Sequence, residues 1–288
     1  MSTCNRKHVV ITGSASGIGE ATMLAAAAAG WHVYAGDRGG ENPEADASEN
    51  VTRLEIDVTN PDQIARAAQE VSEHVGPAGL QGLANVAGIG VPGPMEVIDL
   101  ANLRLAFEVD VFGQVAMTQA FLPLLRAGDG RVVFIGSVGD RASVPFFGAL
   151  TAAKAAIAMI SETFRQELAP WGIKVILVEP GLITTGADVA TKKMIENLKD
   201  SFTPQQNELY GDTFAAASDA GFAAQSKGSA PDGVAATVMK AFTSKHPKNH
   251  YLTGKMSHLV AASADLPSTA QDALKRKQFH LPEPGSKS

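Results

Sequence analysis

The stretch HVVITGSASGIGEATMLAAAAAG, His8 to Gly30, decides the fold. Its first five residues form a short apolar run that reads as a buried strand. The alanine-rich run after Gly19 reads as a helix ended by Gly30. Between them stands Gly13-Ser14-Ala15-Ser16-Gly17-Ile18-Gly19. A glycine-rich turn between strand and helix lets the backbone approach a diphosphate closely. The helix start adds N–H donors and the positive end of its dipole. Three glycines alone are weak evidence, and a plain structural turn is the alternative. The strand–turn–helix context favours a phosphate cradle.

Bulk properties narrow the class. The chain has 288 residues, 45% of them apolar and 19% charged, as expected of a soluble globular protein with a full core. A net charge of −6 without a basic stripe argues against a nucleic-acid partner. Cys4 is the single cysteine, so no internal disulfide forms, which fits a reducing compartment. No apolar leader precedes the first strand and no run suits a bilayer, so the expectation is a cytoplasmic protein without a membrane partner.

The rest of the chain continues the alternation of strand and helix. A second strand, Trp31 to Gly36, ends at Asp37-Arg38. A carboxylate there accepts hydrogen bonds from both hydroxyls of an adenosine ribose and repels a 2′-phosphate, which predicts NAD over NADP. Arg38 pulls the other way, because it could pair with that phosphate. Gly39 to Asn50 is a polar loop. Val51 to Ile56 is a third strand followed by Asp57-Val58, and Thr59 or Asn60 caps a helix from Pro61 to about Val75. Gly82 to Ala87 is a fourth strand ending in Asn85-Val86-Ala87-Gly88. Leu100 to Arg126 reads as one long helix with an apolar stripe, carrying Asp110. Ile173 to Val178 is a sixth strand, and Glu179-Pro180-Gly181-Leu182-Ile183-Thr184-Thr185 follows. From Gly186 to about Ala230 the sequence is polar with isolated large apolar residues: Met194, Ile195, Phe202, Tyr210, Phe214 and Phe222. A helix at Pro231–Thr243 and a short strand near 250–253 come next. Residues from Asp265 to Ser288 read as a short helix and a frayed polar tail.

The fifth strand opens the segment RVVFIGSVGDRASVPFFGALTAAK, Arg131 to Lys154. With the Thr12-Gly13-x-x-x-Gly17-Ile18-Gly19 turn and the Pro180-Gly181 pair, it resembles the short-chain dehydrogenase/reductase family, and the branch that includes retinol and hydroxysteroid dehydrogenases. The resemblance covers Val9 to about Gly254. It implies one doubly wound α/β domain over residues 1–288, a parallel sheet with helices on both faces. It also implies a substrate lid at about 186–230, and a homodimer or homotetramer through the two long helices. A small lipophilic or bulky molecule is the implied substrate. The cofactor is implied to bind at Gly13, Ser16, Gly17, Ile18, Gly19, Asp37, Arg38, Asp57, Val58, Asn85, Ala87, Gly88, Lys154, Pro180, Gly181 and Thr185, with Thr184 a neighbour that could substitute for the last.

The catalytic set implied by the family is incomplete. There, a serine is followed thirteen positions later by a tyrosine and four positions after that by a lysine. Ser137 and Lys154 match, but Leu150 stands at the tyrosine position. Asp110 stands where an asparagine is usual. Leucine has no proton to give, so this reading expects Ser137, Lys154 and Asp110 to carry what chemistry remains, with Asp140 and Tyr210 as other candidate acids. The alternatives are a lyase, isomerase or cyclase reusing the pocket, an NAD(H)-binding pseudoenzyme serving as sensor or subunit, or an introduced change at Leu150.

Overall fold

The computed structural model describes residues 6–39, 48–185 and 187–286, with no side chains for 187–190. Most of the polar loop expected at Gly39 to Asn50 lies outside the described residues. Seven parallel strands form one sheet: β1 (His8–Thr12), β2 (His32–Asp37), β3 (Val51–Glu55), β4 (Gly82–Asn85), β5 (Arg131–Ile135), β6 (Lys174–Pro180) and β7 (His250–Thr253). Their order is β3-β2-β1-β4-β5-β6-β7. The chain reverses its direction of travel between β1 and β4, and in open α/β sheets such a switch point leaves a crevice at the strands' carboxyl ends.

The helices are α1 (Gly17–Ala28), α2 (Pro61–Val75), α3 (Leu100–Phe107), α4 (Gln114–Ala127), α5 (Gly148–Glu167), α6 (Ala187–Asp200), α7 (Asp212–Gln225), α8 (Pro231–Thr243), α9 (Ser257–Ser263) and α10 (Ser268–Gln278). Two cores sandwich the sheet because side chains alternate along each strand. Val9, Ile11 and Val133 point to the face covered by Met23 of α1 and Val234 and Val238 of α8. Val10, Val132 and Phe134 point to the face covered by Met117 and Phe121 of α4 and Ile157 of α5. All of these are fully buried, and each contributes roughly 1.5–3 kcal/mol relative to exposure.

Several boundaries differ from expectation for physical reasons. β4 stops at Asn85, because the N–H groups of Val86 and Ala87 leave the ladder and donate to Thr12 Oγ1, each at 3.0 Å. β6 runs on to Pro180, because Glu179 and Pro180 pair with Leu252 and Thr253 of β7. The helix expected at Leu100 to Arg126 is interrupted by a π-helical turn, Glu108–Gly113. Such a widened turn re-aims side chains, and here it buries Asp110 completely. Asn60, rather than Thr59, caps α2, accepting from Asp62 N at 3.0 Å and Gln63 N at 3.3 Å.

Candidate active site

A cavity of about 1330 Å³ follows the carboxyl ends of the strands. Asp37 and Asp57 line one arm, and Leu266, Leu274 and Phe279 line the other. The glycine turn, Ser137 and Lys154 line the part between. The turn is shaped for close approach. Gly13 and Gly17 have φ of +67° and +55°, where side chains are strained. A Cβ at Gly13 would sit 2.9 Å from Ala87 Cα, and one at Gly19 would sit 1.9 Å from Gly13 O. Ser16 caps α1 with its backbone extended, and its side chain makes no capping bond. The start of α1 is thus open to the cavity, as an anion site requires.

Asp37 serves the turn as well as the wall. Its Oδ2 accepts from Ala15 N at 3.0 Å and its Oδ1 from Arg38 N at 2.8 Å. Asp57 Oδ1 accepts from Thr59 N at 2.9 Å and Thr59 Oγ1 at 2.7 Å. Burial alone would raise the Asp57 carboxyl. The two bonds from Thr59 and the nearby Arg38 charge outweigh it and hold the group below its ordinary value. Val58, Ala87, Gly88, Pro180, Gly181 and Thr185 also line the cavity. Thr185 packs on the glycine turn, 3.2 Å from where a Gly17 Cβ would lie. Thr184 is committed elsewhere, donating to Gln225 O at 3.0 Å, and does not line the cavity.

At the centre, Ser137 Oγ accepts from Gly139 N at 3.0 Å, which orients the hydroxyl at the start of a short 3-10 turn. Lys154, 8% exposed, donates to Ile135 O at 3.0 Å. Its Nζ lies 3.8 Å from Asp110 Oδ1, which also accepts from Ile89 N at 3.0 Å. Burial pushes the Asp110 carboxyl up, with Lys154 and the Ile89 N–H pulling against it. Leu150 lies one helical turn before Lys154 and lines the cavity with its apolar side chain.

Two expected site residues stand behind the wall. Asn85 is fully buried and donates to Thr118 Oγ1 at 3.0 Å, so it ties β4 to α4 and does not face a cofactor. Asp110 likewise does not line the cavity and reaches it only through Lys154. Gly88 is needed there, since a Cβ on it would lie 2.5 Å from Asp110 Oδ1. The other candidate acids are also off the wall. Tyr210 is half-buried and donates to Glu96. The Asp140 side chain is buried beside Glu179 and does not line the cavity.

The aromatic residues of the 186–230 region are mostly packing contacts. Phe214 is fully buried, with its ring 5.5 Å from Phe146 and 6.0 Å from Phe202. Of the six large residues singled out there, Phe222 alone lines the cavity. The chain after Asp265 is more than a tail. α10 forms part of the cavity wall, Phe279 is buried, and Lys275 Nζ donates to Ser143 Oγ at 3.0 Å. Sequence reasoning passed over this wall, and over Thr12. The one local signal was the hydroxyl at the end of β1.

A protein-family model described as short chain dehydrogenase matches residues 7–196. Estradiol 17-beta-dehydrogenase 2 of Mus musculus is 33% identical over 97% of this chain and 76% of its own length. Retinol dehydrogenase 16 of Mus musculus is 32% identical over 93% of this chain and 87% of its own. A solved short chain dehydrogenase from Burkholderia cenocepacia J2315 in complex with NADP superposes with a TM-score of 0.72 at 27% identity, over 97% of this chain and 98% of that one. Among the described residues, no helix is long and apolar enough to cross a membrane.

Proposed function

Because the chain belongs to the short-chain dehydrogenase/reductase family, we propose that it is a nicotinamide-dependent oxidoreductase for a lipophilic or bulky alcohol or ketone. The observation that carries this is one continuous cavity with a phosphate-shaped glycine turn at one end and an apolar wall at the other. The names of the relatives, for estradiol and for retinol, support a lipophilic alcohol.

The cradle fits a dinucleotide. Gly13, Ser16, Gly17, Ile18 and Gly19 would hold its diphosphate, and Asp37 a ribose. Asp57 and Val58 would flank the adenine. Lys154, Pro180, Gly181 and Thr185 would receive the nicotinamide half. A bound nicotinamide gives or takes hydride at the substrate carbon. NAD is the proposed form, since the Asp37 carboxylate would repel a 2′-phosphate and Asp57 engages the Arg38 charge. That solved relative binds NADP, so discrimination rests on this one strand end.

Leu150 stands, in this reading, at the family's tyrosine position. Ser137, Thr151 and Lys154 are then the groups on this part of the wall that carry transferable protons. Ser137 would hold the substrate oxygen. Lys154, steadied by Asp110, would hold the ribose and carry charge. The apolar Leu150 also favours a second reading, an NAD(H)-binding protein with non-redox chemistry or with none. A cytoplasmic homo-oligomer is the proposed state; Phe112 on the π-helical turn and Met159 on α5, 57% and 66% exposed, support the oligomer.

Calorimetric titration with NADH and then NADPH tests the reading. NADH is expected to bind the more tightly. If neither bound, the oxidoreductase reading would be abandoned. Product formed with no change in NADH absorbance would favour the second reading.

A further inference from the structure

The cavity arm beyond Ser137 is apolar, yet its outer end carries positive charge. Val144, Leu259, Leu266, Leu274 and Phe279 line it. Its charged lining residues are Lys275 and Lys277, both on α10. The carboxylates that line the cavity, Asp37 and Asp57, lie at the opposite arm beside the glycine turn. Lys275 is half-buried, and its Nζ donates to two neutral acceptors, Ser143 Oγ at 3.0 Å and Gln271 Oε1 at 3.3 Å. Among the described residues neither lysine enters an ion pair.

α10 holds Lys275 in place. Gln271 Nε2 donates to Ala264 O at 3.0 Å and to Leu266 O at 2.9 Å, which fixes the start of the helix. Phe279 is buried at its end. Gln271, Lys275 and Phe279 are spaced by four and share one helix face, so the ammonium is presented to the cavity by an anchored face. An ammonium among apolar side chains, bonded only to neutral groups, attracts an anion more strongly than it would in open water.

We propose that Lys275 is an anion anchor, and that the substrate is a lipophilic molecule bearing a carboxylate or similar monoanion at the end remote from the reacting carbon. Lys277 sits farther round the helix and adds attraction at the rim. This rests on the lipophilic-substrate reading above and narrows it, because the alcohols for which the two relatives are named carry no such charge.

The test compares decanoate with decan-1-ol, probes of equal chain length, by calorimetry on the full chain with and without NADH. Decanoate is expected to bind about tenfold or more tightly, and the preference should weaken as salt is raised. Lys275→Met should remove the preference and leave decan-1-ol binding in place. Lys275→Arg should retain it, and Lys277→Met should reduce it only partly. Equal affinities in the parent protein, or a preference that survives Lys275→Met, would overturn the anchor and leave the lipophilic reading standing. Failure of both probes to bind would remove both.

Discussion

Lys154 Nζ stands 3.8 Å from Asp110 Oδ1, and both side chains are buried behind or in the cavity wall. Each group is the other's charge partner. The second Asp110 oxygen, Oδ2, has no hydrogen-bond partner. Removing one member of a buried pair leaves an uncompensated charge, at a cost of about 3–5 kcal/mol. Asp110→Ala should therefore destabilise by that amount, and Asp110→Asn, which keeps the acceptor for Ile89 N, by less. Adding Lys154→Met to Asp110→Ala should recover part of the loss. Urea unfolding of the double-mutant cycle measures the coupling, and simple additivity would show that the pair does not interact.

Leu150→Tyr should restore a proton donor one turn before Lys154. General acid–base help is typically worth about 10²–10⁴ in rate, so ketone reduction should rise by that order. The check is NADH oxidation over a panel of lipophilic ketones. No gain anywhere on the panel would count against a latent dehydrogenase site.

If NAD is the coenzyme as proposed, Asp37→Ser should narrow the gap between NADH and NADPH binding by about tenfold, because it removes a carboxylate that would repel a 2′-phosphate. It should also loosen the glycine turn, since Ala15 N loses its acceptor. Titration of both coenzymes into the variant gives the answer. An unchanged ratio would shift discrimination to Arg38.

Asp140 makes stability depend on pH. Burial first, and then the Glu179 charge, push its carboxyl up to about 7 against the pull of Arg141. Ionised, neither of its oxygens has a hydrogen-bond donor. Glu179 meanwhile accepts from Arg141 Nη2 at 2.6 Å and faces His250 Nδ1 at 3.1 Å. The unfolded carboxyl titrates near ~3.9. Between that value and about 7 the native state holds a proton that the unfolded chain has lost. The group's contribution is therefore full below pH ~4, declines as pH rises to about 7 and is constant above it. Asp140→Asn mimics the protonated form. Its Tm should exceed the parent's at pH 8 and converge with it as pH is lowered to about 4. A difference of equal size at both pH values would refute the assignment.

Reading from sequence succeeded where the deciding interactions are local. The run from His8 to Thr12 alternates between two buried faces, and Asn60-Pro61 starts α2 through bonds to the next two or three residues. The glycine turn was legible for the same reason, since its φ values and the clash at Gly19 arise within seven residues. Asp37 and Lys154 were legible as members of spaced motifs and do line the cavity.

The sequence alone thus determined the alternation of strand and helix, the glycine-rich turn and the lack of an acidic proton on the Leu150 side chain. Those follow from side-chain chemistry and from backbone preferences over a few residues. Tertiary structure alone decided that Asn85 faces α4, that a π-helical turn sets Asp110 behind Lys154, and that α10 returns to wall the cavity. The bond from Lys275 to Ser143 joins residues 132 apart in the chain. No local periodicity encodes such a contact, because it exists only once the sheet has set the direction of every loop.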